Sequence, residues 1–319
     1  MINTDNREPH QYGDRHLRGD LDGKLNPLDS TAVRRVRLSA STTISTTTGG
    51  QHTIWMLANL LARQYAIIQE IHLVIPEVPL LPSVALFGEA TDLRTTIRNT
   101  IRSIAGPHMG VQVYDESNQR EVDAEILVGH HQNNDSKCKH QVSVWGSGWN
   151  LYVGRNEAIP TALPDSTCSF GPYFGACIAA GEVFKSLRGL KEGKGKFAES
   201  LFMSLWDFKQ YERWEDLPSV KWQTSLQIPH CYLIGAGAVG QATAAALMTS
   251  GGLRGLFIII DNDIIDDTNL NRYSLATLED QNKAKSLVLY EYLIAHGFQA
   301  YPFIEKWPDY ALQLPHHKL

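Results

Sequence analysis

The sequence predicts an α/β protein built from two units, each a mostly parallel sheet flanked by helices. The clearest sign lies at 231–260, where an apolar strand, a glycine-rich turn, an Ala-rich helix and a second apolar strand follow one another. Short apolar runs bounded by turn residues are typical of buried parallel strands. The same order of elements occurs at 33–75. We therefore expect an internal duplication, with domains at 31–190 and 228–319 joined by a charged linker at 191–227.

The elements of the first unit follow from local patterns. Residues 33–43 alternate between apolar and polar side chains, which predicts a strand, and TTTGG at 46–50 ends it. The segment that follows, TIWMLANLLARQ, predicts an amphipathic helix. A strand is expected at 71–75. Farther along, QVSVWGSGWNLYVG predicts a hairpin around Gly146–Gly148, and a helix of small residues should end near Gly189.

The second unit carries a glycine pattern suited to a nucleotide. Gly235, Gly237 and Gly240 follow an apolar strand at G-x-G-x-x-G spacing. Glycines there let the backbone approach phosphate groups at a helix N-terminus. The next strand, 256–260, ends in Asp261, which places a carboxylate where a ribose hydroxyl would sit. This much fits any Rossmann-like dinucleotide site, so a NAD(P)- or FAD-dependent oxidoreductase is one alternative.

Further polar residues follow Asp261 at definite offsets. They are Asp263, Asn269, Arg272 and Lys285. A nicotinamide or flavin domain does not need them, whereas an adenylating enzyme must neutralise triphosphate charge at the leaving pyrophosphate, which a fixed Arg and Lys do. The spacing from Asp261 to Lys285 resembles that of the ThiF/MoeB adenylyltransferases and the ubiquitin-activating enzymes.

The resemblance implies a fold and a set of roles. It implies two Rossmann-like ThiF-type units, an inactive one followed by an active-type one that binds ATP with Mg²⁺. Asp261 would hold the ribose, Asn269, Arg272 and Lys285 would contact the phosphates, and Asp263 would assist near the metal. No residue is assigned as a metal ligand. The alternative is that Arg272 and Lys285 are solvated surface charges and that Asp261 caps a turn.

The N-terminal arm, residues 1–30, carries a second resemblance. QYGDRHLRGDLDGKL is similar to the YDRQLRLWG segment of the same enzymes, with one extra residue between Tyr12 and Asp14. In that family the Arg of this segment reaches a neighbouring nucleotide site as an arginine finger, so Arg15 is the matching catalytic candidate and Arg18 the nearby alternative. A guanidinium there would stabilise charge on phosphate oxygens. The other reading is a charged leader with no such role.

Both copies depart from the family pattern. The first has no G-x-G-x-x-G, and Pro76 and Glu77 replace the paired aspartates. We therefore expect it to bind no ATP. The second stops after a strand near 299–304, without the later strand whose Asp the family uses for magnesium. We expect the active-type unit to be incomplete, and the chain to be a fragment or a degenerate relative.

The implied reaction is attack of the C-terminal carboxylate of a ubiquitin-like protein on the α-phosphate of ATP, which gives an acyl-adenylate and pyrophosphate. Bacterial operons that pair such enzymes with ubiquitin-like proteins and conjugating enzymes suggest antiphage conjugation as the setting. A conjugating enzyme is then a second candidate partner, and a homodimer stays open. A non-catalytic scaffold for a ubiquitin-like partner is the remaining alternative, favoured by the missing magnesium Asp.

Composition narrows the class further. The chain has 319 residues, 43% hydrophobic and 20% charged, which is ordinary for a globular protein, and its net charge of −5 gives no basic face for nucleic acid. No apolar run reaches the roughly 18 residues that a membrane span needs. Four cysteines without a CxxC pair indicate a reducing, cytoplasmic setting. Lys137 and Lys139 flank Cys138, which favours a lowered thiol pKa, but its place in the inactive-type unit argues against a thioester-forming nucleophile.

Overall fold

The computed structural model describes residues 32–114, 120–129, 138, 140–155, 164–189 and 196–313. The strands of the first unit are β1 (Arg35–Ala40), β2 (Glu70–Val74), β3 (Gly110–Val113), β4 (Ala124–Val128), β5 (His140–Ser147), β6 (Asn150–Gly154), β7 (Ser200–Ser204) and β8 (Lys209–Tyr211). Those of the second are β9 (Leu226–Ile234), β10 (Leu253–Ile260) and β11 (Gln299–Phe303). The helices are α1 (Thr42–Ser45), α2 (Thr48–Ala62), α3 (Leu93–Ala105), α4 (Phe170–Arg188), α5 (Ala238–Thr249), α6 (Lys285–Ala295) and α7 (Trp307–Ala311).

The first unit is a twisted α/β sheet with a parallel core. Its eight strands run in the order β3-β2-β1-β4-β5-β6-β7-β8, parallel through β5 and antiparallel from β6 onward. The central strand β1 buries Val36, Leu38 and Ala40 on one face. This strand was predicted from the alternation of its apolar residues, which all point to the same face of the sheet. The α/β class with a mostly parallel, helix-flanked sheet is confirmed.

The first sheet extends past the boundary predicted at residue 190. Strands β7 and β8 fall inside the segment predicted as a linker, 191–227, and β7 pairs with β6 through Leu201 opposite Val153 and Met203 opposite Leu151. An unpaired β6 edge would expose a row of backbone donors and acceptors. The strands that follow α4 therefore complete this sheet before the chain crosses to the second unit.

Helix α2 is not amphipathic as predicted. Ile54, Trp55 and Leu57 are fully buried, and so are the polar Gln51 and Asn59 on the same helix. The helix lies between the sheet, α3 and α4, and it also contacts a loop of the second unit. A helix enclosed on all sides keeps no solvent face, so its polar residues must find partners in the interior.

Helix α4 runs for 19 residues and ends at Arg188, as predicted, where Gly189 adopts a φ of +69°. It packs against β5 and α2, and Ala176 and Ala179 are fully buried there.

Among the residues that the structure describes, neither this helix nor any other is both long and apolar enough to cross a membrane.

The second unit is a three-stranded parallel sheet in the order β11-β10-β9. Its strand ends are joined by backbone hydrogen bonds, from Gly235 N to Ile260 O at 2.8 Å and from Asp261 N to Phe303 O at 3.1 Å. The carboxyl ends of parallel strands meet at one edge of a sheet, which is where ligands bind in open α/β folds. The glycine turn and Asp261 are therefore neighbours in space.

Candidate functional site

The glycine turn after β9 has the geometry that its sequence predicts. Gly235 has a φ of +94°, a left-handed conformation that L side chains rarely adopt. A Cβ atom at Gly240 would overlap the carbonyl oxygen of Gly235. Gly237 is the N-cap residue of α5, and because it has no side chain, it leaves the first amides of the helix uncapped. The turn thus brings backbone N–H groups at the start of α5 to the edge of the sheet, an arrangement suited to an anion.

Asp261 connects the end of β10 to this turn. Its Oδ2 accepts a hydrogen bond from Ala236 N at 2.7 Å, and its Oδ1 accepts one from Asp263 N at 2.9 Å. A carboxylate has about four acceptor sites, so both oxygens retain capacity for a ligand hydroxyl. Asp261 does cap a turn, as the alternative interpretation of the sequence holds. Its position beside the glycines also fits a ribose.

Arg272 and Lys285 lie against one aromatic ring. The Arg272 guanidinium carbon is 5.1 Å from the centre of the Tyr273 ring, and Lys285 Nζ is 5.4 Å from it. Tyr273 is only 4% exposed, and its hydroxyl group lies beside Gly237. The ring therefore gathers two cations next to the glycine turn. Sequence reasoning missed Tyr273, although an aromatic residue directly after Arg272 was the available signal.

Lys285 is buried and paired. Its Nζ is 2.8 Å from Asp263 Oδ2, and its side chain is 9% exposed against 63% for that of Asp263. Burial by itself would lower the pKa of Lys285, but hydrogen bonds and charge from Asp263 and Tyr273 outweigh it and raise that pKa. Lys285 therefore stays charged at neutral pH, and it is not a solvated surface residue.

Asn269 has a local structural task. Its backbone N–H donates to Asp266 Oδ1 at 3.1 Å, and its Oδ1 accepts from Asp266 N at 3.3 Å, which forms a capping box. The side chain is buried, and its Nδ2 reaches only Thr268 Oγ1 at 3.5 Å. Arg272, half-buried, donates to the Thr268 carbonyl. A phosphate contact by Asn269 remains a prediction.

A second residue that sequence reasoning missed is Gln241, which is fully buried in α5 directly after Gly240. Its Nε2 donates to Ala236 O at 3.2 Å, while its Oε1 accepts from the N–H groups of Leu275 and Ala276 at 3.1 and 3.2 Å. It joins the glycine turn to the loop that carries Arg272 and Tyr273. A single Gln in an otherwise Ala-rich helix was the sequence signal.

The acidic residues after β10 are engaged separately. Asp261 bonds the glycine turn, Asp263 pairs with Lys285, and Asp266 caps the turn of Asn269. Within the described ranges, no three His, Cys, Asp or Glu side chains converge to hold a metal ion. The side chain of Asp263 is 63% exposed although it pairs with a buried cation. Arg15, the arginine-finger candidate, lies outside the described residues.

In the first unit, a carboxylate occupies the corresponding helix start. Asp165 Oδ1 accepts from Thr48 N at 2.9 Å and Gly49 N at 3.3 Å, and its Oδ2 accepts from Thr48 Oγ1 at 3.0 Å. These are the α2 amides that a phosphate would need. A negatively charged side chain there would also repel a phosphate. This geometry gives a physical reason to expect no nucleotide in the first copy.

Cys138 does not have the lowered thiol pKa predicted from its flanking lysines. Burial raises the pKa of its thiol to about 11, and a backbone hydrogen bond from His140, which acts in the opposite direction, does not offset this. The Sγ donates to His140 O at 3.2 Å, which also favours the protonated thiol. A thiol with such a pKa is almost entirely protonated at neutral pH and is a poor nucleophile.

Comparison with known protein families gives a match that covers most of the second unit. Residues 208–299 match the ThiF family, a range that includes every candidate residue from Gly235 to Lys285. This confirms the ThiF resemblance for that segment. The uncharacterized protein y4jF of Sinorhizobium fredii is 22% identical over 171 residues, which is 52% of this chain. The chain spans only 31% of the length of that relative.

Three solved structures are also similar. E. coli MccB with ATP has 12% identity and a TM-score of 0.39, covering 56% of this chain and 62% of its own. The microcin C7 biosynthetic enzyme MccB in complex with N-formylated MccA gives the same identity and TM-score, with 56% and 63% covered. PaaA has 14% identity and a TM-score of 0.39, with 66% and 77% covered.

Proposed function

We propose that this protein binds ATP at the glycine turn and adenylates a carboxylate, that of the C-terminus of a ubiquitin-like protein. One observation carries the proposal: Arg272 and Lys285 meet on the Tyr273 ring beside the start of α5, within the segment that matches the ThiF family. Two fixed cations next to a helix N-terminus are suited to a polyphosphate.

The residues of this chain would divide the nucleotide between them. Asp261 would accept hydrogen bonds from the ribose, and the amides that follow Gly237 would bind phosphate oxygens. Arg272 presents a planar guanidinium that can bind two phosphate oxygens at once, and Lys285 supplies a compact charge. ATP, when bound, supplies an electrophilic α-phosphorus with pyrophosphate as the leaving group. The fixed cations stabilise the charge that develops there.

Lys285 would need to share or exchange its partner. Its present partner, Asp263, is 63% exposed, so water can solvate the carboxylate if the lysine turns to a phosphate. Only the aspartate of this pair is exposed to water, so the loss of Asp263 costs little once a phosphate replaces it as the acceptor for Lys285. Asp263, once released, would be free to assist Mg²⁺ carried in with the nucleotide.

The alternatives differ in what they leave unexplained. A NAD(P)- or FAD-dependent oxidoreductase would use Asp261 but gives no purpose to Arg272 and Lys285 on one ring. A non-catalytic scaffold would use the site only to bind. Further parts of the proposal are supported by the sequence resemblance alone. These are the ubiquitin-like substrate, a conjugating enzyme as a partner, the antiphage setting, a homodimer and the arginine-finger role of Arg15.

Isothermal titration of the whole chain with Mg-ATP and with NAD tests the binding step. We expect ATP to bind more tightly than NAD. We also expect about one ATP site per chain, because Asp165 already holds the α2 amides of the first unit. Tighter binding of NAD would overturn the proposal. ATP–pyrophosphate exchange with a ubiquitin-like protein then separates an enzyme from a scaffold, since only the enzyme incorporates labelled pyrophosphate into ATP.

A further inference from the structure

Two buried side chains at the C-terminal end of helix α2 reach from the first unit into the second. Asn59 Nδ2 donates a hydrogen bond to Ser274 O at 2.9 Å. Arg63, directly after the helix, donates from Nη1 to Leu270 O at 2.7 Å and from Nη2 to Ala276 O at 3.0 Å. The three acceptors are backbone carbonyls of one loop, residues 270–276, which we name the cation loop because it carries Arg272.

The contact between these two side chains and the cation loop is closed to solvent. Asn59 is fully buried and Arg63 is 2% exposed, and Arg63 Nε donates to Asn59 Oδ1 at 2.7 Å. A buried guanidinium is tolerated only when its donors are satisfied in good geometry. All three nitrogens of Arg63 have partners, and two of these partners are in the cation loop. The loop carbonyls therefore have one favourable arrangement relative to α2.

The cation loop is also held from within its own unit. Gln241 accepts hydrogen bonds from the N–H groups of Leu275 and Ala276, so the carbonyl of Ala276 is fixed by one unit and its amide by the other. Arg272 and Tyr273 lie between these attachment points. Their side chains are left to face Lys285 and the glycine turn.

We propose that Asn59 and Arg63 are positioning residues of the nucleotide site. The first unit, whose own helix start is taken by Asp165, sets the geometry of the cations that serve the second unit. This inference rests on the proposed function, since it assigns the cation loop to ATP. It gives the first unit a task that requires no nucleotide of its own.

The test uses the full chain with Arg63→Met and Asn59→Ala. The matched control is Gln64→Met: Gln64 is buried at the same helix end, but its Nε2 donates to Ala180 O at 3.4 Å, within the first unit. Hydrogen exchange by mass spectrometry reports the amides of residues 270–276, and titration reports the affinity for Mg-ATP.

We expect both crossing variants to speed exchange in the cation loop by about tenfold or more and to weaken Mg-ATP binding by a similar factor. Asn59→Ala loses one hydrogen bond to the loop and Arg63→Met loses two. Gln64→Met should change neither quantity. Arg63→Lys, which keeps a charge but can reach fewer carbonyls, should give an intermediate result. If Arg63→Met proves too unstable to purify, Asn59→Ala decides.

Unchanged loop exchange in both crossing variants would overturn the inference, and so would an equal loss of ATP affinity in Gln64→Met. A different outcome separates the two proposals. If exchange in the loop rises but the wild-type chain binds no Mg-ATP, the positioning of the loop by Asn59 and Arg63 is upheld and the assignment of the site to ATP fails.

Discussion

Lys285 Nζ lies 2.8 Å from Asp263 Oδ2, and the two partners differ in their exposure to solvent. The lysine is 9% exposed and backed by the Tyr273 ring, whereas the carboxylate is 63% exposed. The strength of this ion pair is limited because water solvates one partner. The pair therefore keeps Lys285 charged and in place without binding it tightly, and a phosphate group can compete with Asp263.

Lys285→Met should weaken Mg-ATP binding while changing stability little. A lost charge-assisted contact costs about 1.5 to 3 kcal/mol of binding free energy. Lys283→Met is the matched control, because Lys283 also pairs with an aspartate, Asp280, at 2.8 Å. Asp280 is buried, so we expect Lys283→Met to lower the free energy of unfolding more and ATP affinity less. Equal effects on ATP affinity in titration would show that the site is misplaced.

Arg272→Ala should reduce affinity for Mg-ATP far more than Arg254→Ala. Arg272 is one of the two cations on Tyr273, while Arg254 is exposed on β10 and donates only to Leu253 O at 2.6 Å. We expect a loss of about 1.5 to 3 kcal/mol for Arg272 and almost none for Arg254. Titration of both variants measures this difference, and a comparable loss for Arg254 would contradict the assignment.

Gly240→Ala should disturb the glycine turn, because the added Cβ would overlap the carbonyl oxygen of Gly235. We expect a loss of stability of about 1 to 3 kcal/mol, typical of overpacking, together with weaker ATP binding. Gly181→Ala is the control: Gly181 lies in helix α4, and a Cβ there meets nothing within 4 Å. That variant should be stabilised by roughly 0.5 to 1 kcal/mol. Urea unfolding of both variants checks the opposite signs.

His52 should make the protein less stable in acid. Burial lowers the pKa of His52 from 6.5 to about 4, and the nearby Asp165 offsets this only in part. Between these two values the unfolded chain binds a proton that the folded chain does not, so the free energy of unfolding falls as pH falls from 6.5 toward 4. The full effect is about 3 kcal/mol at 1.36 kcal/mol per pKa unit.

His52→Gln should remove this pH dependence, and urea unfolding at pH values from about 7 to about 4 measures it. His230→Gln is the control, because it removes a histidine that is exposed on β9. A slope that is unchanged in His52→Gln would show that another group dominates the acid response.

Local sequence patterns were enough to predict the fold class and the residues that follow the strands of the second unit. Apolar runs of strand length and the spacing of Gly235, Gly237 and Gly240 depend on neighbours in the chain. The structure places Gly235 in a turn with a positive φ, Gly237 at the N-cap of α5 and Gly240 in its first turn. Asp261 and Lys285 were identified by their offsets, and both lie at the same sheet edge. Steric rules and side-chain periodicity act over a few residues, so sequence reports them directly.

What surrounds these elements was decided by tertiary structure alone. Asp165 caps a helix that starts 117 residues earlier, and Asn59 bonds a carbonyl 215 residues later. The local pattern treated α2 as amphipathic and did not identify Tyr273 as the shared partner of two cations. Periodicity states which face of an element is apolar, but it does not state which distant backbone will satisfy the polar groups on the other face. That depends on how the two units pack, because buried donors and acceptors take whichever partners the packing brings within hydrogen-bond distance.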